Sequence, residues 1–483
     1  MNILGISAGY HDAAATVISS DGDILFAGHS ERYSKQKNDP NLCQGLLDEL
    51  RQYSIREVAY YERPWNKQLR QLYSGQGIEW NKLSAKRIIE EQFDNKLLIR
   101  NKIKTYNHHL SHAAAGFQTS PYERATVVVI DAIGEWDTIS IWGAEYVDGK
   151  AKYKRLWRQY YPKSIGLFYS AITNRIGLRP MDEEYITMGM SAYGEAKYRD
   201  TMRVLAEENL HIGVDNLFLP TATDVDIAAS AQLVVEELIY SVMHRAQAFN
   251  YSTNLVYMGG VALNCLANRN LGRYFEKIWI MPNPGDAGSS LGAAALAYGG
   301  KINFNNAYLG HNIPGDYPVD NIISSLCNDK ICGVASGRAE FGPRALGNRS
   351  LLADPRGPDI KDRVNLIKRR QKFRPFAPVI LEEHAKEYFD IPCGWSDTRY
   401  MQVVGRCKMP DLFPAIVHVD GTSRIQTVPC DNSGIRRLLE AWYQQTGCPM
   451  LLNTSLNIRG EPMVNDRADA NRFEKLYDVK VWS

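Results

Sequence analysis

One strand-and-turn pattern occurs twice in the chain, and that repetition restricts the fold more than any other feature. The opening stretch "NILGISAGYHDAAATVISSDGDILFAG" places apolar Ile3, Leu4 and Ile6 in a strand, followed by the small-residue turn "SAGYHDA". A second strand, "AAATVIS", leads through an Asp21-Gly22 hairpin signal into a third, "DILFAG". The same order returns at 125–157, "ATVVVIDAIGEWDTISIWGAEYVDGKAKYKRLW", with an acidic, Gly-containing turn and a second hairpin signal at Asp148-Gly149. Each unit is followed by helical material. Such a duplication grips a ligand between equivalent turns.

Two more junctions extend the pattern. In "NLVYMGGVALNCLANRN" a strand runs into Gly259-Gly260, where missing side chains let backbone amides approach a ligand, and a helix is expected from about Val261. In "IWIMPNPGDAGSSLGAAALAYG" a strand, a turn carrying Asp286 and a helix follow one another. Four strand-to-turn junctions in this order resemble the actin and sugar-kinase superfamily, in which hairpin turns approach the phosphates of ATP. The expected class is α/β: an actin-like (ribonuclease H-like) duplicated N-terminal domain over 1–310, then a second α/β domain over 318–483. The Asn-, Gly- and Pro-rich segment near 300–318 marks the boundary.

The chemistry begins at "YNHHLSHAAAGF", residues 106–117. Lacking Pro and rich in Ala, it reads as a helix. Residues four apart share a helical face, so His108 and His112 project together while His109 points elsewhere. Asp131 ends the strand "TVVVID" and Asp286 sits in a glycine-lined turn. Two imidazoles and two carboxylates suit a divalent cation such as iron, manganese or magnesium. Zinc is disfavoured, because catalytic zinc takes three protein ligands. Beyond the boundary, residues 336–375 hold eleven Lys or Arg against four Asp or Glu. With Arg344 and Arg349 set among Gly, Pro and Ala, the block reads as a grip for a small phosphorylated substrate.

Composition closes off other classes. The chain has 483 residues, 45% hydrophobic and 23% charged, with a formal net charge of +2, too small for a dedicated nucleic-acid binder. Eight scattered cysteines form no CxxC pair, against a zinc ribbon or a disulfide framework. No apolar stretch approaches a membrane span and "MNILGISAGY" has no basic leader region, so a cytoplasmic protein without a membrane partner is expected.

Jointly, "GYHDAAA", "SERYSKQKND", "NHHLSHAAAGF", "VVVIDAIGEWDT", "SIGLFYSAIT", "GGVALNC", "PGDAGSSLGAA", "EFGPRALGNRSLLADPR", "FRPFAPVI" and "LLNTSLNIRGEP" resemble the NodU/CmcH family of O-carbamoyltransferases over nearly the whole chain. The resemblance implies an actin-like module followed by a YrdC-like one. The C-terminal module would convert carbamoyl phosphate and ATP, carried with Mg²⁺, to carbamoyl adenylate. The N-terminal module would pass the carbamoyl group to an acceptor hydroxyl. By motif, His108, His112, Asp131 and Asp286 would hold one transition metal, iron or manganese rather than zinc. His11 would be the general base, oriented by Asp12. Gly259, Gly260 and Asn264 would contact the adenosine side. Arg344, Arg349, Lys368, Arg374, Arg424 and Asn453 would hold carbamoyl phosphate and ATP. Lys163 and Ile186 depart from the family's usual His and Lys, and the chain is short for the family. Competing readings are a fused tRNA threonylcarbamoylation enzyme and a non-catalytic ATP-binding switch.

The acceptor is expected to be read where the resemblance is weakest, about residues 40–105. A sugar or other small molecule is favoured, and a hydroxymethylpyrimidine in DNA is the second candidate. In "YYERPWNKQLRQLY", Arg63, Lys67 and Arg70 lie among aromatic residues. That mixture suits a nucleic-acid reader, or else an amphipathic helix with its rings packed inward and its charges wet.

Overall fold

A computed structural model describes residues 2–92, 103–215 and 217–483. Residues 93–102, part of the expected acceptor-reading stretch, lie outside the described residues. The chain divides into two compact units, one formed by 2–30 and 38–305, the other by 31–37 and 306–483. The second unit thus includes a short N-terminal segment that the sequence boundary at 310–318 assigns to the first. Within that unit Arg32, 3% exposed, donates to the Gly342 carbonyl at 3.0 Å, and Lys35 pairs with Asp469. The stretch "ERYSKQK" is therefore a structural part of the C-terminal unit.

The first unit contains β1 (Asn2–Ser7), β2 (Ala14–Ile18), β3 (Ile24–His29), β4 (Ile55–Tyr60) and β5 (Ile103–Thr105). These pair in the order β3-β2-β1-β4-β5. The pairs β1–β2 and β2–β3 are antiparallel; β1–β4 and β4–β5 are parallel. The second sheet is built from β6 (Arg124–Gly134), β7 (Asp137–Val147), β8 (Lys150–Tyr160), β9 (Asn254–Met258) and β10 (Lys277–Trp279). Its order, β8-β7-β6-β9-β10, repeats the first with the same directions. This is the duplicated ribonuclease H-like topology of the actin-like fold. Two-residue hairpins fit it: Asp148 and Gly149 both have positive φ, at 51° and 71°, the backbone that a type I′ turn requires.

Between the sheets lie two helices made of small residues. His108–Thr119 packs on β9, and Ser289–Tyr298 packs on β1. Their mutual approach is as close as backbones allow. A Cβ on Gly292 would stand 1.8 Å from the Ser111 carbonyl oxygen. Ser111 lies between the two histidines, so Gly292 sets the height at which they sit. A further approach fixes the glycine pair. Gly259, at φ 92°, would place a Cβ 2.1 Å from the Ile130 carbonyl oxygen. The helix expected from Val261 is instead a 3₁₀ turn over Gly260–Leu263 and a short helix over Cys265–Asn268.

The second unit adds β11 (Tyr308–Ile313), β12 (Ile331–Ala335), β13 (Gly337–Glu340), β14 (Arg349–Ala353), β15 (Ala377–Leu381), β16 (Phe389–Asp390), β17 (Val404–Cys407), β18 (Thr422–Arg424), β19 (Gln426–Val428), β20 (Met450–Ser455) and β21 (Val481–Trp482). Its main sheet, β19-β15-β20-β14-β12-β21, mixes parallel and antiparallel pairs. The core includes Leu351, Val379, Leu438, Trp442 and Leu452. Among the described residues no helix is long and apolar enough to cross a membrane.

Gly292→Ala should force the two small-residue helices apart. We expect a loss of about 1–3 kcal/mol in chemical denaturation, with weaker divalent-ion binding at the displaced histidines. An unchanged unfolding midpoint would contradict the close packing at Ser111.

Candidate metal and phosphate sites

The helix His108–Thr119 starts sharply because Asn107 caps it, accepting from the Leu110 amide at 3.1 Å. That start puts His108 and His112 on one buried face, both 0% exposed. Asp131 reaches them from β6 and Asp286 from the 3₁₀ turn before Ser289–Tyr298. His108 Nε2 lies 3.2 Å from Asp131 Oδ2 and 3.4 Å from Asp286 Oδ1. His112 Nε2 lies 3.6 Å and 3.3 Å from the same two oxygens. The two Nε2 atoms are 3.1 Å apart. All four ligand atoms fall within 4.8 Å of one another.

Burial alone would lower both imidazoles, yet the facing carboxylates outweigh it and hold both above the ordinary histidine range. Burial would likewise raise both carboxyls, and the imidazoles keep Asp131 and Asp286 below theirs. The donor set therefore fits a divalent cation. Two ring nitrogens 3.1 Å apart, with carboxylate oxygens of buried Asp131 and half-buried Asp286 within 3.6 Å of them, are a donor set that one divalent ion would satisfy.

The surrounding groups orient this set. Glu62, 0% exposed, lies 3.2 Å from His108 Nδ1. It accepts that N–H and leaves Nε2 free as a ligand, as a carboxylate behind a metal-binding histidine does. Lys67 balances Glu62 at 3.1 Å. Glu135 accepts from the His108 amide at 3.2 Å, from Asn66 Nδ2 at 2.6 Å and from the Arg63 guanidinium at 2.7 Å. Glu62 and Glu135 are missed by spacing arguments because each comes from a different strand end. His109 points away to Ser140 at 2.8 Å, as the helical spacing predicts.

Gly259 and Gly260 support the same strand. The Gly260 amide donates to Asp131 Oδ1 at 3.3 Å, and Gly259 rests on Ile130. Asn264 caps the Cys265–Asn268 helix through Ala267 and forms a reciprocal pair with Gln232 at 3.0 and 3.1 Å. His11 and Asp12 occupy the β1–β2 turn, Nδ1 to Oδ2 3.1 Å, with Asp12 at φ 48°. Burial would depress His11, but the Asp12 bond and the Asp286 and Asp131 charges raise it to about 9. Ile186 is buried and Lys163 is exposed, paired with Glu207 at 2.7 Å.

Of the expectations for residues 40–105, the phosphate track of a nucleic-acid reader is corrected here. Lys67 and Arg70 are buried, Lys67 on Glu62 and Arg70 on the Glu135 carbonyl and Gln76, while Arg63 is held by Glu135. These cations have carboxylate or amide partners and do not form a phosphate track. The helix Pro64–Tyr73 turns its apolar side outward instead, with Trp65, Leu69, Leu72 and Tyr73 about half exposed or more. The alternative of inward rings and wet charges is inverted.

In the C-terminal unit, the phosphate-grip expectation is corrected at two residues. Arg349, 0% exposed, spends all five N–H donors on the carbonyls of Asn465, Ser336, Asn348, His311 and Gly337. Burial pushes its pKa down to about 10. Lys368, 4% exposed, is held by oxygens of Ser455 and Asn457. Neither has a donor left for phosphate. Arg344, Arg374 and Arg424 are half-buried. Asn453 donates to Ala345 and Gln426, and its buried Oδ1 has no donor.

Among known proteins, the Carbamoyltransferase N-terminus family matches residues 52–212 and 203–295, and the Carbamoyltransferase C-terminus family matches 323–481. The chain is 33% identical to the uncharacterized protein sll1178 of Synechocystis, covering 98% of this chain and 94% of that protein. It is 31% identical to nodulation protein NolNO of Sinorhizobium fredii, over 95% and 76% respectively. It is 33% identical to nodulation protein NolO of Bradyrhizobium diazoefficiens, over 75% of each.

Two outcomes check these assignments. Glu62→Gln should weaken divalent-ion affinity about 10–100-fold by isothermal titration while the fold persists; unchanged affinity would remove Glu62 from the site. In chelator-treated protein, the His11 ring proton should titrate near 9 by NMR and move down when diamagnetic Mg²⁺ or Zn²⁺ is added. An ordinary histidine titration in the metal-free protein would contradict the charge balance.

Proposed function

The chain belongs to the carbamoyltransferase family, and from that premise we propose an ATP-dependent O-carbamoyltransferase that works in two steps. In the first, carbamoyl phosphate, ATP and one water give carbamoyl adenylate, phosphate and pyrophosphate. In the second, an acceptor hydroxyl oxygen bonds to the carbamoyl carbon, the carbon–oxygen bond to the adenylate phosphate breaks, and AMP leaves with that electron pair. The hydroxyl proton passes to a base. The observation that carries the reading is the convergence of His108, His112, Asp131 and Asp286 beside the β1–β2 turn that holds His11.

The chain's own groups divide the work. Asp131 and Asp286 would supply the negative charge for a divalent ion, iron or manganese in this reading, and His108 and His112 would complete its ligands. Such an ion would provide fixed positive charge for the adenylate phosphate. Glu62 holds the His108 tautomer, and Glu135 holds the start of the histidine helix. His11, in the β1–β2 turn beside these residues and paired with Asp12, is the base that takes the acceptor proton. Gly259 and Gly260 then serve the site by seating β9 against β6, and the nucleotide contacts of this loop come from its backbone.

For the first step, half-buried Arg344, Arg374 and Arg424 are assigned to the phosphates by their motifs, with Mg²⁺ carried on ATP. Asn453 Oδ1, a buried acceptor without a donor, suits the carbamoyl amide N–H. Arg349 and Lys368 act by holding the loops around them rather than by touching phosphate. Leaving Arg349's five carbonyls without donors costs about 1–3 kcal/mol apiece, comparable in sum to a whole domain's stability of about 5–15 kcal/mol.

The test is AMP release measured against carbamoyl phosphate. The unmodified protein should release AMP only when carbamoyl phosphate is present and without any need for threonine. Arg344→Ala should lower adenylate formation at least about tenfold while transfer from supplied carbamoyl adenylate persists. His112→Ala should do the reverse. Arg349→Ala should lose the folded C-terminal unit altogether, seen by circular dichroism. Loss of the same step in the Arg344 and His112 variants would overturn the division of labour.

A further inference from the structure

One buried lysine stands between the turn that carries His11 and the helix that carries His108 and His112. Lys67, 8% exposed, places its Nζ 3.2 and 3.1 Å from the two oxygens of Glu62, the carboxylate that accepts from His108 Nδ1. The same Nζ stands 3.5 Å from the centroid of the Tyr10 ring, and Tyr10 immediately precedes His11. An ion pair with Glu62 alone needs no ring beside it. A desolvated ammonium over an aromatic face is attracted to that face, so Lys67 binds both neighbours at once.

The next residue reinforces the hold. Gln68, 1% exposed, donates through Nε2 to the Tyr10 hydroxyl at 3.1 Å. Its own Oε1 accepts from the Glu79 amide at 2.7 Å, which fixes the side-chain amide with Nε2 toward Tyr10. The Tyr10 hydroxyl in turn donates to the Lys82 carbonyl at 3.4 Å. Tyr10 is thus gripped on its face and at its tip. The turn it leads into needs such a grip. Gly9 and Asp12 both have positive φ, at 92° and 48°, and a non-glycine residue persists in that region only where its surroundings determine it. Two backbone bonds, from Gly9 to the Pro40 carbonyl at 2.6 Å and from Ala13 to the Asp39 carbonyl at 2.7 Å, hold the turn elsewhere.

We propose that Lys67 is a positioning residue: through Tyr10 and Glu62 it ties the β1–β2 turn bearing His11 to the helix bearing His108, and so keeps the base at one spacing from the metal ligands. The inference rests on the carbamoyl-transfer reading, in which His11 acts on an acceptor hydroxyl beside those ligands. Lys67 works through its two neighbours and not on the reacting atoms. Its contribution is geometric, and a misplacement of about 1 Å at a reacting pair costs about a hundredfold in rate.

Hydrogen exchange read by mass spectrometry on the full-length protein tests the tie, with peptides covering the β1–β2 turn and the start of the helix His108–Thr119. Lys67→Met removes the charge and should speed exchange in both segments about tenfold. Lys67→Arg should restore both. Tyr10→Leu removes the ring and should speed exchange at the start of the histidine helix as well, whereas Tyr10→Phe, which keeps the ring, should not. Added to Lys67→Met, Tyr10→Leu should have no further effect on that helix, because the path is already cut. Acceleration confined to one segment, equal acceleration in Lys67→Arg, or additive effects of the two substitutions would overturn the proposal. Should Lys67→Met not fold, Tyr10→Leu compared with Tyr10→Phe carries the test. Carbamoyl-phosphate-dependent AMP release by the unmodified protein is measured alongside. Its absence condemns the two-step reading, whereas its presence with the two segments uncoupled condemns the role of Lys67 alone.

Discussion

A buried carboxylate, Asp131, and a half-buried one, Asp286, facing two buried imidazoles are the interaction on which the N-terminal unit depends. Removing such charge from water is expensive, and mutual attraction offsets it only with close geometry and satisfied outer donors. Each element of the unit contributes to that condition. Small residues let the helices His108–Thr119 and Ser289–Tyr298 approach until Gly292 meets Ser111. Glu62 takes the outer N–H of His108, and the Gly260 amide takes the outer oxygen of Asp131. The fold builds the charge cluster, and its four donor atoms lie close enough together for one divalent cation.

The same charges bias their neighbour. His11 is raised to about 9 chiefly because Asp12 and the two aspartates outweigh its burial. Under the proposed reading, a divalent ion among these carboxylates would offset the charge that raises His11, so that metal content and the pH profile of transfer would be linked through this residue.

Much of this was legible in the sequence where local rules govern. The two three-stranded units, the Asp148-Gly149 hairpin and the i, i+4 histidine face follow from period, turn chemistry and helix geometry. What stayed hidden depends on contacts between distant segments. Nothing in "GRAEFGPRALGNRS" reveals that Arg349 turns inward onto five carbonyls while Arg344 stays half-buried. Nor does "YYERPWNKQLRQLY" show that its cations pair with Glu62 and Glu135, because those partners come from other strand ends. The excess of basic residues was real, but its meaning was set by tertiary carboxylates and carbonyls. Membership of the 31–37 segment in the C-terminal unit escaped for the same reason.

The central claim is that His108, His112, Asp131 and Asp286 together hold one divalent transition metal. Anomalous diffraction from crystals of the purified protein, collected on both sides of the iron and manganese edges, tests it most directly. The account predicts a single anomalous peak among the two Nε2 atoms, Asp131 Oδ2 and Asp286 Oδ1, appearing at one of those edges. No peak there after growth and purification with both metals supplied, with the two imidazoles instead bridged through a shared proton, would contradict it.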